Sequence, residues 1–300
     1  PMQNVVITFP QRFEEVRRAA TRCAGDLAGL NVVGTLTEPD AVCWLFGVEN
    51  QLPGVSLIFD IGGGTTDVNV VRYQDGGMEV LGSHGVHVAG RHFDHTLLSR
   101  VILPACYQAS DGRFTDVLLK SSPRETAAFM KLAEQLKIRL SGAAGNDVPV
   151  ELHIESDLLG DRLQFDIRRT RAQVGEFVQS NVDACRRAAE SAMAAAQTKI
   201  PGLAWSDLRA VFLVGGSSGL VWIRDMLRAL TGKEPMVALN PSSAIAEGAA
   251  YYTQSLAARQ GHRELVMHAR PDERRKPTMI QADHADVKTV MQRGLGLVAY

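Results

Sequence analysis

Residues 58–67 read Ile58-Phe59-Asp60-Ile61-Gly62-Gly63-Gly64-Thr65-Thr66-Asp67, and this stretch decides the fold. Three consecutive glycines let the backbone adopt conformations closed to other residues and leave no side chain to block an anion. Successive backbone N–H groups can then surround phosphate oxygens, and Thr65 and Thr66 add hydroxyl donors. The flanking residues, 55–60 and 66–73, have the composition of two strands. We therefore predict a strand hairpin whose turn binds phosphate.

Asp60 ends an apolar strand, where a carboxylate is costly unless something pairs with it. A hydrated Mg²⁺ ion is a natural partner beside a polyphosphate, because Mg²⁺ prefers oxygen ligands and keeps several waters. The simpler alternative is a tight hairpin turn with a capping Asp. Neither a P-loop nor a dinucleotide fingerprint fits, since no Gly-Lys-Ser/Thr follows and the glycines lead into a strand, not a helix.

Composition and charge are those of an ordinary globular domain, with 45% apolar and 22% charged residues. A net charge of −1 argues against binding nucleic acid or anionic lipid through bulk charge, so we expect neither partner. No apolar run approaches the length of a membrane span. The four cysteines are scattered without a Cys-x-x-Cys pair, which favours a reduced, cytoplasmic compartment and no zinc site.

Strand and helix patterns alternate along the chain, which predicts an α/β fold. Further strands are expected at 5–9, 31–36, 78–86 and 211–214, and an antiparallel pair at 147–154 and 162–168. Helices are expected from Pro10 to about residue 27 and at 38–48, 90–108, 123–140, 171–197, 220–230 and 240–257. The first helix has an apolar face formed by Phe13, Val16, Ala20, Cys23 and Leu27. The polar stretch 109–122 is left unplaced, and 262–277 is a charged, proline-bounded linker.

Several further segments resemble one family in order and spacing. They are Val6-Ile7-Thr8-Phe9-Pro10, Thr37-Glu38-Pro39, Ala89-Gly90-Arg91-His92-Phe93-Asp94 and Ala133-Glu134-Gln135-Leu136-Lys137-Ile138-Arg139-Leu140-Ser141. With the glycine loop, they resemble the heat shock protein 70 (DnaK-type chaperone) family within the actin, sugar-kinase and heat shock superfamily. The resemblance implies an actin-like ATPase domain, ribonuclease H-like, with the second lobe largely complete and the first only partly present.

The resemblance also implies a division of the chain. Residues 1–50 are expected to be a remnant of the first lobe, and 51–88 with 180–258 the core of the second. Residues 89–179 are expected to form its outer subdomain, and 259–300 a linker or the start of a further C-terminal domain.

The resemblance assigns ATP or ADP as the ligand, with Mg²⁺. The implied phosphate and nucleotide contacts are Gly62, Gly63, Gly64, Thr65, Thr66 and Gly90. The implied adenosine contacts are Glu134, Lys137, Ser141, Gly215, Gly216, Ser217 and Ser242. On a helix, residues 134, 137 and 141 form one polar stripe, for which a solvated face is the plain alternative. The segment Val214-Gly215-Gly216-Ser217 is equally explained as a strand-to-helix turn with a capping serine.

Four residues receive catalytic roles from the resemblance. Asp60 would hold Mg²⁺ through water, and Thr65 would hydrogen-bond the γ-phosphate. Glu38 would reach the metal's water shell or the attacking water, and Asp67 would orient that water or accept its proton. The plain alternatives are a helix N-terminal carboxylate for Glu38 and a turn-flanking surface residue for Asp67.

The sequence departs from the family in several places, among them Ser242-Ser243, where an acidic residue is common, and residues 105–122. Ser218-Gly219 stand where the family commonly has Thr-Arg, and no first phosphate loop or family lysine can be assigned. We therefore expect these 300 residues alone to bind ATP weakly or not at all, and to be inactive by themselves. The primary hypothesis is the ATPase domain of a chaperone, with unfolded polypeptide clients and co-chaperones bound by other parts. The alternatives are a bacterial actin-like filament or scaffold ATPase and a non-hydrolysing nucleotide-binding relic.

Overall fold

The structure is a computed structural model that describes residues 4–50, 54–74, 77–160, 162–238, 240–259, 264–267, 284–292 and 295–299. Within these residues, helices and strands alternate. The strands are β1 (Asn4–Phe9), β2 (Asn31–Thr37), β3 (Gly54–Ile61), β4 (Thr66–Gln74), β5 (Gly77–Val86), β6 (Val150–Ser156), β7 (Leu163–Arg169), β8 (Ala210–Val214), β9 (Met236–Val237), β10 (Glu264–Met267), β11 (His284–Gln292) and β12 (Leu295–Ala299). The helices are α1 (Glu15–Leu27), α2 (Glu38–Asn50), α3 (Gly90–Leu97), α4 (Leu103–Ala109), α5 (Asp116–Lys120), α6 (Pro123–Gly142), α7 (Arg171–Lys199), α8 (Val221–Thr231) and α9 (Ala244–Arg259).

Two five-stranded mixed sheets organise these elements. The first has the order β5-β4-β3-β8-β9, in which β3, β4 and β5 form an antiparallel meander and β8 and β9 run parallel to β3. The second has the order β10-β11-β12-β1-β2, with β1 and β2 parallel. A separate antiparallel pair joins β6 to β7. The predicted α/β class and the predicted antiparallel pair are therefore confirmed.

The alternation of side chains along β3 decides where the candidate site lies. Leu57, Phe59 and Ile61 are fully buried in the main core, which also takes side chains from α3, α6 and α7. Ile58 points to the opposite face, into a smaller core shared with α2 and β8. Because side chains alternate along a strand, Asp60 shares the face of Ile58 and is directed towards α2.

Two predicted elements differ from their expected form. Helix α1 is present, but Val16 and Leu27 on its predicted apolar face are 80% and 83% exposed. The helix packs instead through Gly25, where a Cβ atom would lie 2.6 Å from Ile7 Cδ1. The predicted helix 90–108 is continuous but contains a π-helical turn at Leu98–Ile102 between α3 and α4.

The stretch 109–122, which the pattern did not place, contains the short helix α5. Its start is capped by Thr115, whose hydroxyl accepts a hydrogen bond from the backbone N–H of Leu118 at 3.1 Å. A helix of five residues is too short to show a helical period, which explains why it was not predicted.

The C-terminal part adds the edge of the second sheet. The backbone of β12 pairs antiparallel with β1, and β11 pairs with β12. The charged stretch expected at 262–277 falls outside the described residues except for β10, so its assignment as a linker stays a prediction. Among the helices of the described part, none has the length and apolar character needed to cross a membrane.

Candidate functional site

The glycine loop joins β3 to β4 in a closed turn that its neighbours hold in place. The backbone N–H of Gly62 donates to the carbonyl of Thr65 at 3.0 Å. From the start of α3, the N–H of Gly90 donates to Gly62 O at 3.1 Å and that of Arg91 to Gly63 O at 2.8 Å. The loop is thus fixed by backbone hydrogen bonds to the β5–α3 connection, as a preorganised anion site requires.

The connection from β8 to α8 meets the same loop from another side. The backbone N–H of Ser217 donates to Ile61 O at 3.0 Å. Gly215 has a φ of +89°, and a Cβ atom there would lie 2.4 Å from Asp60 Oδ1 and 2.5 Å from Ile61 O. Gly216 faces Ser242, whose Oγ would lie 3.7 Å from a Cβ at that position. Bare backbone therefore reaches the end of β3 where side chains could not fit.

Gly90 joins the two connections to helix α6. A Cβ atom on Gly90 would lie 2.1 Å from Ser217 Oγ and 3.3 Å from Gly62 O, so the Ser217 side chain lies where a side chain at position 90 would begin. On the other side, Lys137 Nζ donates to Gly90 O at 3.2 Å and lies 2.8 Å from Asp94 Oδ1. The structure therefore gathers the predicted segments around residues 62, 90, 137 and 215–217 into one site.

The predicted polar stripe of α6 is only partly available to a ligand. Glu134 is exposed, whereas Lys137 is buried and already occupied by Asp94 and the Gly90 carbonyl. Ser141 Oγ is buried and has no hydrogen-bond partner among the described residues. Lys137 thus forms an ion pair with Asp94, which the stripe did not predict. The contact between the stripe and a ribose stays a prediction.

The two threonines of the loop have different environments. Thr65 is partly exposed on the turn. Thr66 is fully buried, its hydroxyl donates to Val88 O at 2.6 Å, and it lies 3.8 Å from Cys185 Sγ. The Thr66 hydroxyl therefore braces the loop against the β5–α3 connection, which differs from its predicted role as a phosphate donor.

Asp60 and Asp67 are direct cross-strand partners on β3 and β4. Like charges in this arrangement destabilise a hairpin, so a purely structural reason for the pair is lacking. Glu38 and Asn69 line the same small cavity as these two residues, which has a volume of about 10 Å³, close to the room one water molecule needs. The Oδ1 atom of Asn69 is buried there without a hydrogen-bond partner in the described part of the chain.

Glu38 reaches this cavity because it is the first residue of α2. Thr37 caps the helix, since its hydroxyl accepts from the backbone N–H of Asp40 at 3.2 Å, while its own N–H donates to Asp40 Oδ2 at 3.3 Å. Strand β2 therefore ends and α2 begins at a fixed residue. This fixes the position of Glu38, the first residue of the helix.

The carboxylates raise one another's proton affinity. Burial raises the pKa of Asp60 from 3.8 to about 7, and the charge of Asp67 adds to the effect. Burial also raises the pKa of Glu38 from 4.5 to about 8, with further increases from Asp60 and Asp67 and an opposing contribution from Arg12. A site that disfavours its own ionised carboxylates favours a bound proton or cation.

Arg12 supplies the protein's own cation at this cluster. Its Nε lies 2.8 Å from Asp67 Oδ1, with the two side chains 40% and 18% exposed. A pair this exposed adds little to stability, so its main effect is on the local charge. Gly85 makes room for it, because a Cβ there would lie 2.6 Å from Arg12 Cζ and 2.8 Å from Asp67 Oδ1.

The oxygen atoms that line this cavity are of the ligand type that Mg²⁺ prefers, but the cavity has room for one water molecule and not for a hydrated ion, which would have to lie outside it. In the described part of the chain, no three His, Cys, Asp or Glu side chains form a cluster that could hold a metal ion directly. Contact through water suits Mg²⁺, which gives up its own waters reluctantly. The raised pKa values and the unpartnered Asn69 oxygen are consistent with a positively charged, hydrogen-bonding occupant.

These pKa values predict a falling stability with rising pH. Glu38 and Asp60 bind protons more tightly in the folded than in the unfolded state. Their contribution to the free energy of unfolding is therefore complete below about pH 4. It is lost as the pH rises through about 7 and 8. In buffer with EDTA, the free energy of unfolding measured by urea should therefore decrease between pH 6 and 8.5.

The Glu38→Gln and Asp60→Asn variants should each flatten this decrease. The exposed Glu190 on α7 offers a control, because Glu190→Gln should leave the slope of the parent unchanged. An equal slope in all four proteins would contradict the assigned environment of the two carboxyls.

Four residues of the site received no role from sequence: Arg12, Asn69, Arg91 and Asp94. A signal existed for Arg12, because it follows β1 just as Glu38 follows β2, and the ends of neighbouring parallel strands meet. A signal also existed for Asn69, which shares a strand face with Asp67 two residues away.

Proteins of one known family are similar to this chain in sequence. The sequence model of the family described as Hsp70 protein matches residues 1–269. The chain is 31% identical over 248 residues to Chaperone protein DnaK of Prochlorococcus marinus (strain MIT 9515), covering 82% of this chain and 37% of that protein. It is 32% identical over 248 residues to Heat shock 70 kDa protein 7, chloroplastic, of Arabidopsis thaliana, covering 82% and 33% respectively. The chain thus spans about a third of the length of these curated relatives.

Proposed function

The chain belongs to the Hsp70 family, and on that premise we propose that its glycine loop binds the phosphate chain of ATP or ADP in an ATP-hydrolysing domain. One observation carries the proposal. Asp60 and Asp67 flank the glycine turn as cross-strand partners and share a cavity with Glu38. Such a cluster is unfavourable for folding but suited to phosphoryl transfer, in which positioned carboxylates manage a metal ion and a water molecule.

Each residue has a role that its position supports. Bound Mg²⁺ would neutralise phosphate charge, and Asp60 and Glu38 would hold it through water. Gly62, Gly63 and Gly64 leave the loop open to phosphate oxygens, and the partly exposed Thr65 would donate its hydroxyl to the terminal phosphate. Asp67 would orient the attacking water and accept its proton.

Adenosine would lie against the β8–α8 connection. Gly215 and Gly216 present bare backbone there, and Ser217 and Ser242 supply hydroxyl groups beside it. Gly90 lies between this surface and the glycine loop. Glu134 and Ser141 are the members of the α6 stripe with groups left for a ribose, whereas Lys137 would have to leave Asp94 to reach one.

The activity of the whole protein is a wider proposal. Both relatives named above are chaperone or heat shock proteins, and we infer that this chain serves a chaperone of the same kind. Clients and co-chaperones would contact other parts of it. The division into a first-lobe segment (1–50), a second-lobe core (51–88 and 180–258) and an outer subdomain (89–179) belongs to this proposal, as does the cytoplasmic location.

The alternatives have less support. The family match and the named relatives do not favour a filament-forming actin-like ATPase. A non-hydrolysing relic differs from the proposal in one measurable property, which is phosphate release.

The proposal is tested by following nucleotide binding and phosphate release in the full-length protein. Binding of Mg-ATP and Mg-ADP, measured by calorimetry, should accompany slow release of phosphate. Because Thr65 would contact the terminal phosphate in the transition state, Thr65→Ala should lower kcat by about 100-fold, the usual cost of removing such a donor. ADP affinity should change little.

The exposed Thr198 on α7 provides the control, and Thr198→Ala should hydrolyse ATP at the parent rate. Tight ATP binding without phosphate release would favour the relic. The absence of any nucleotide binding would overturn the proposal.

A further inference from the structure

The guanidinium group of Arg91 lies along the outer side of the glycine loop. Arg91 is the second residue of α3, and its backbone N–H is fixed to Gly63 O at 2.8 Å. Its Nε would lie 3.6 Å from a Cβ atom on Gly63, and its Nη2 3.7 Å from one on Gly64. These are ordinary van der Waals distances, so a Cβ atom at either position would just touch the guanidinium, which lies beside the bare backbone of the two glycines.

Within the described part of the chain, the Arg91 guanidinium has no carboxylate partner. The side chain is exposed. The other two cations close to the loop are paired, Arg12 with Asp67 and Lys137 with Asp94. Among the described residues, Arg91 is thus an unpaired cation beside Gly63 and Gly64.

We propose that Arg91 binds the phosphate chain of the nucleotide, as a cation supplied by α3 to the Gly63–Gly64 side of the loop. The inference rests on the proposed function, because it deepens the description of that same site. A planar guanidinium with several donors can bind two oxygens of one phosphate, which makes arginine well suited to this task. The glycines leave no side chain between the guanidinium and a phosphate lying on the loop.

The position of Arg91 also predicts which ligands depend on it. It contacts the phosphate loop, whereas the surface proposed for adenosine is formed by Gly215, Gly216 and Ser242. Arg91 should therefore contribute to the affinity for ATP and ADP, and not to the affinity for adenosine. A purely structural role, in which the side chain shields the loop from solvent, would instead affect the stability of the free protein.

The test compares Arg91→Gln and Arg91→Lys with the parent full-length protein. Affinities for Mg-ATP, Mg-ADP and adenosine are measured by calorimetry at fixed ionic strength. Arg91→Gln should weaken ATP and ADP binding by about tenfold or more, as expected for the loss of hydrogen bonds to a charged group. Arg91→Lys should be intermediate, because it keeps the charge but not the fork of donors. Adenosine affinity and the thermal unfolding midpoint without nucleotide should not change.

Arg100 provides a matched control, since it is an exposed arginine on the π-helical turn that follows α3. Arg100→Gln should bind all three ligands like the parent. If Arg91→Gln binds ATP as tightly as the parent, or loses ATP and adenosine equally, the inference is wrong while the proposed function stands. If the parent binds neither ATP nor ADP, both are wrong.

Discussion

Replacing Asp60 with Asn is expected to lower ATP hydrolysis by the full-length protein about 100-fold or more, the scale seen when one preorganised electrostatic contact is lost. Asn has nearly the shape of Asp but cannot carry the charge that would hold hydrated Mg²⁺. The same substitution should raise the thermal unfolding midpoint at pH 8, because it removes one of the mutually repelling carboxylates of the cluster. Activity and stability should therefore change in opposite directions.

This opposition separates a functional Asp60 from a structural one. If the carboxylate were a turn cap, Asp60→Asn would lower stability and leave turnover close to normal in the folded fraction. The control is Asp116→Asn on α5, where the carboxylate is exposed and paired with Lys120 at 2.5 Å. That variant should hydrolyse ATP at the parent rate, with little change in unfolding midpoint. Normal turnover by Asp60→Asn would refute the role assigned to Asp60.

Much of the fold could be predicted because its signals are local. The apolar run before Asp60, the three glycines and the β-branched residues after them define both strands and the turn within one short stretch. The cross-strand position of Asp60 and Asp67 follows from that hairpin. Their meeting with Glu38 depends on the packing of β2 and α2 against the sheet, and here the family resemblance supplied what periodicity could not.

The rest depended on tertiary contacts that spacing does not encode. The stripe Glu134, Lys137 and Ser141 was predicted as one polar face, but a helical wheel does not say which part of a face meets another element. Lys137 is buried because Asp94 on α3 comes to meet it. Helix α1 shows the reverse case, in which Val16 is exposed although its spacing predicts burial.

The pairing of Arg12 with Asp67 shows how a charged cluster can be hidden in a sequence. Arg12 lies in the turn after β1 and Asp67 on β4 of the other sheet, far apart in the chain. The pair forms because the ends of β1 and β2 both point at the β3–β4 hairpin. A sequence search for metal or catalytic spacing cannot detect such a contact, since neither residue lies in a motif with the other. The available signal was the position of Arg12 after β1, which matches that of Glu38 after β2.

The second large effect is expected at Gly215. In Gly215→Ala, the left-handed backbone at φ +89° costs about 1–2 kcal/mol for a non-glycine residue. The new methyl group would also meet Asp60 Oδ1 at 2.4 Å and Ile61 O at 2.5 Å, and overpacking of this kind adds roughly 1–3 kcal/mol. The free energy of unfolding, measured with urea, should therefore fall by about 2–5 kcal/mol.

Gly219, four residues further along the same connection, is the matched control. A Cβ atom there would meet nothing within 4 Å, and its φ lies outside the left-handed region. Gly219→Ala should change the free energy of unfolding by no more than about 0.5 kcal/mol. Equal effects of the two substitutions would contradict the close approach of Gly215 to β3. Because the obstructing methyl group would displace Asp60, the part of Gly215→Ala that still folds should also lose ATP turnover, whereas Gly219→Ala should keep it.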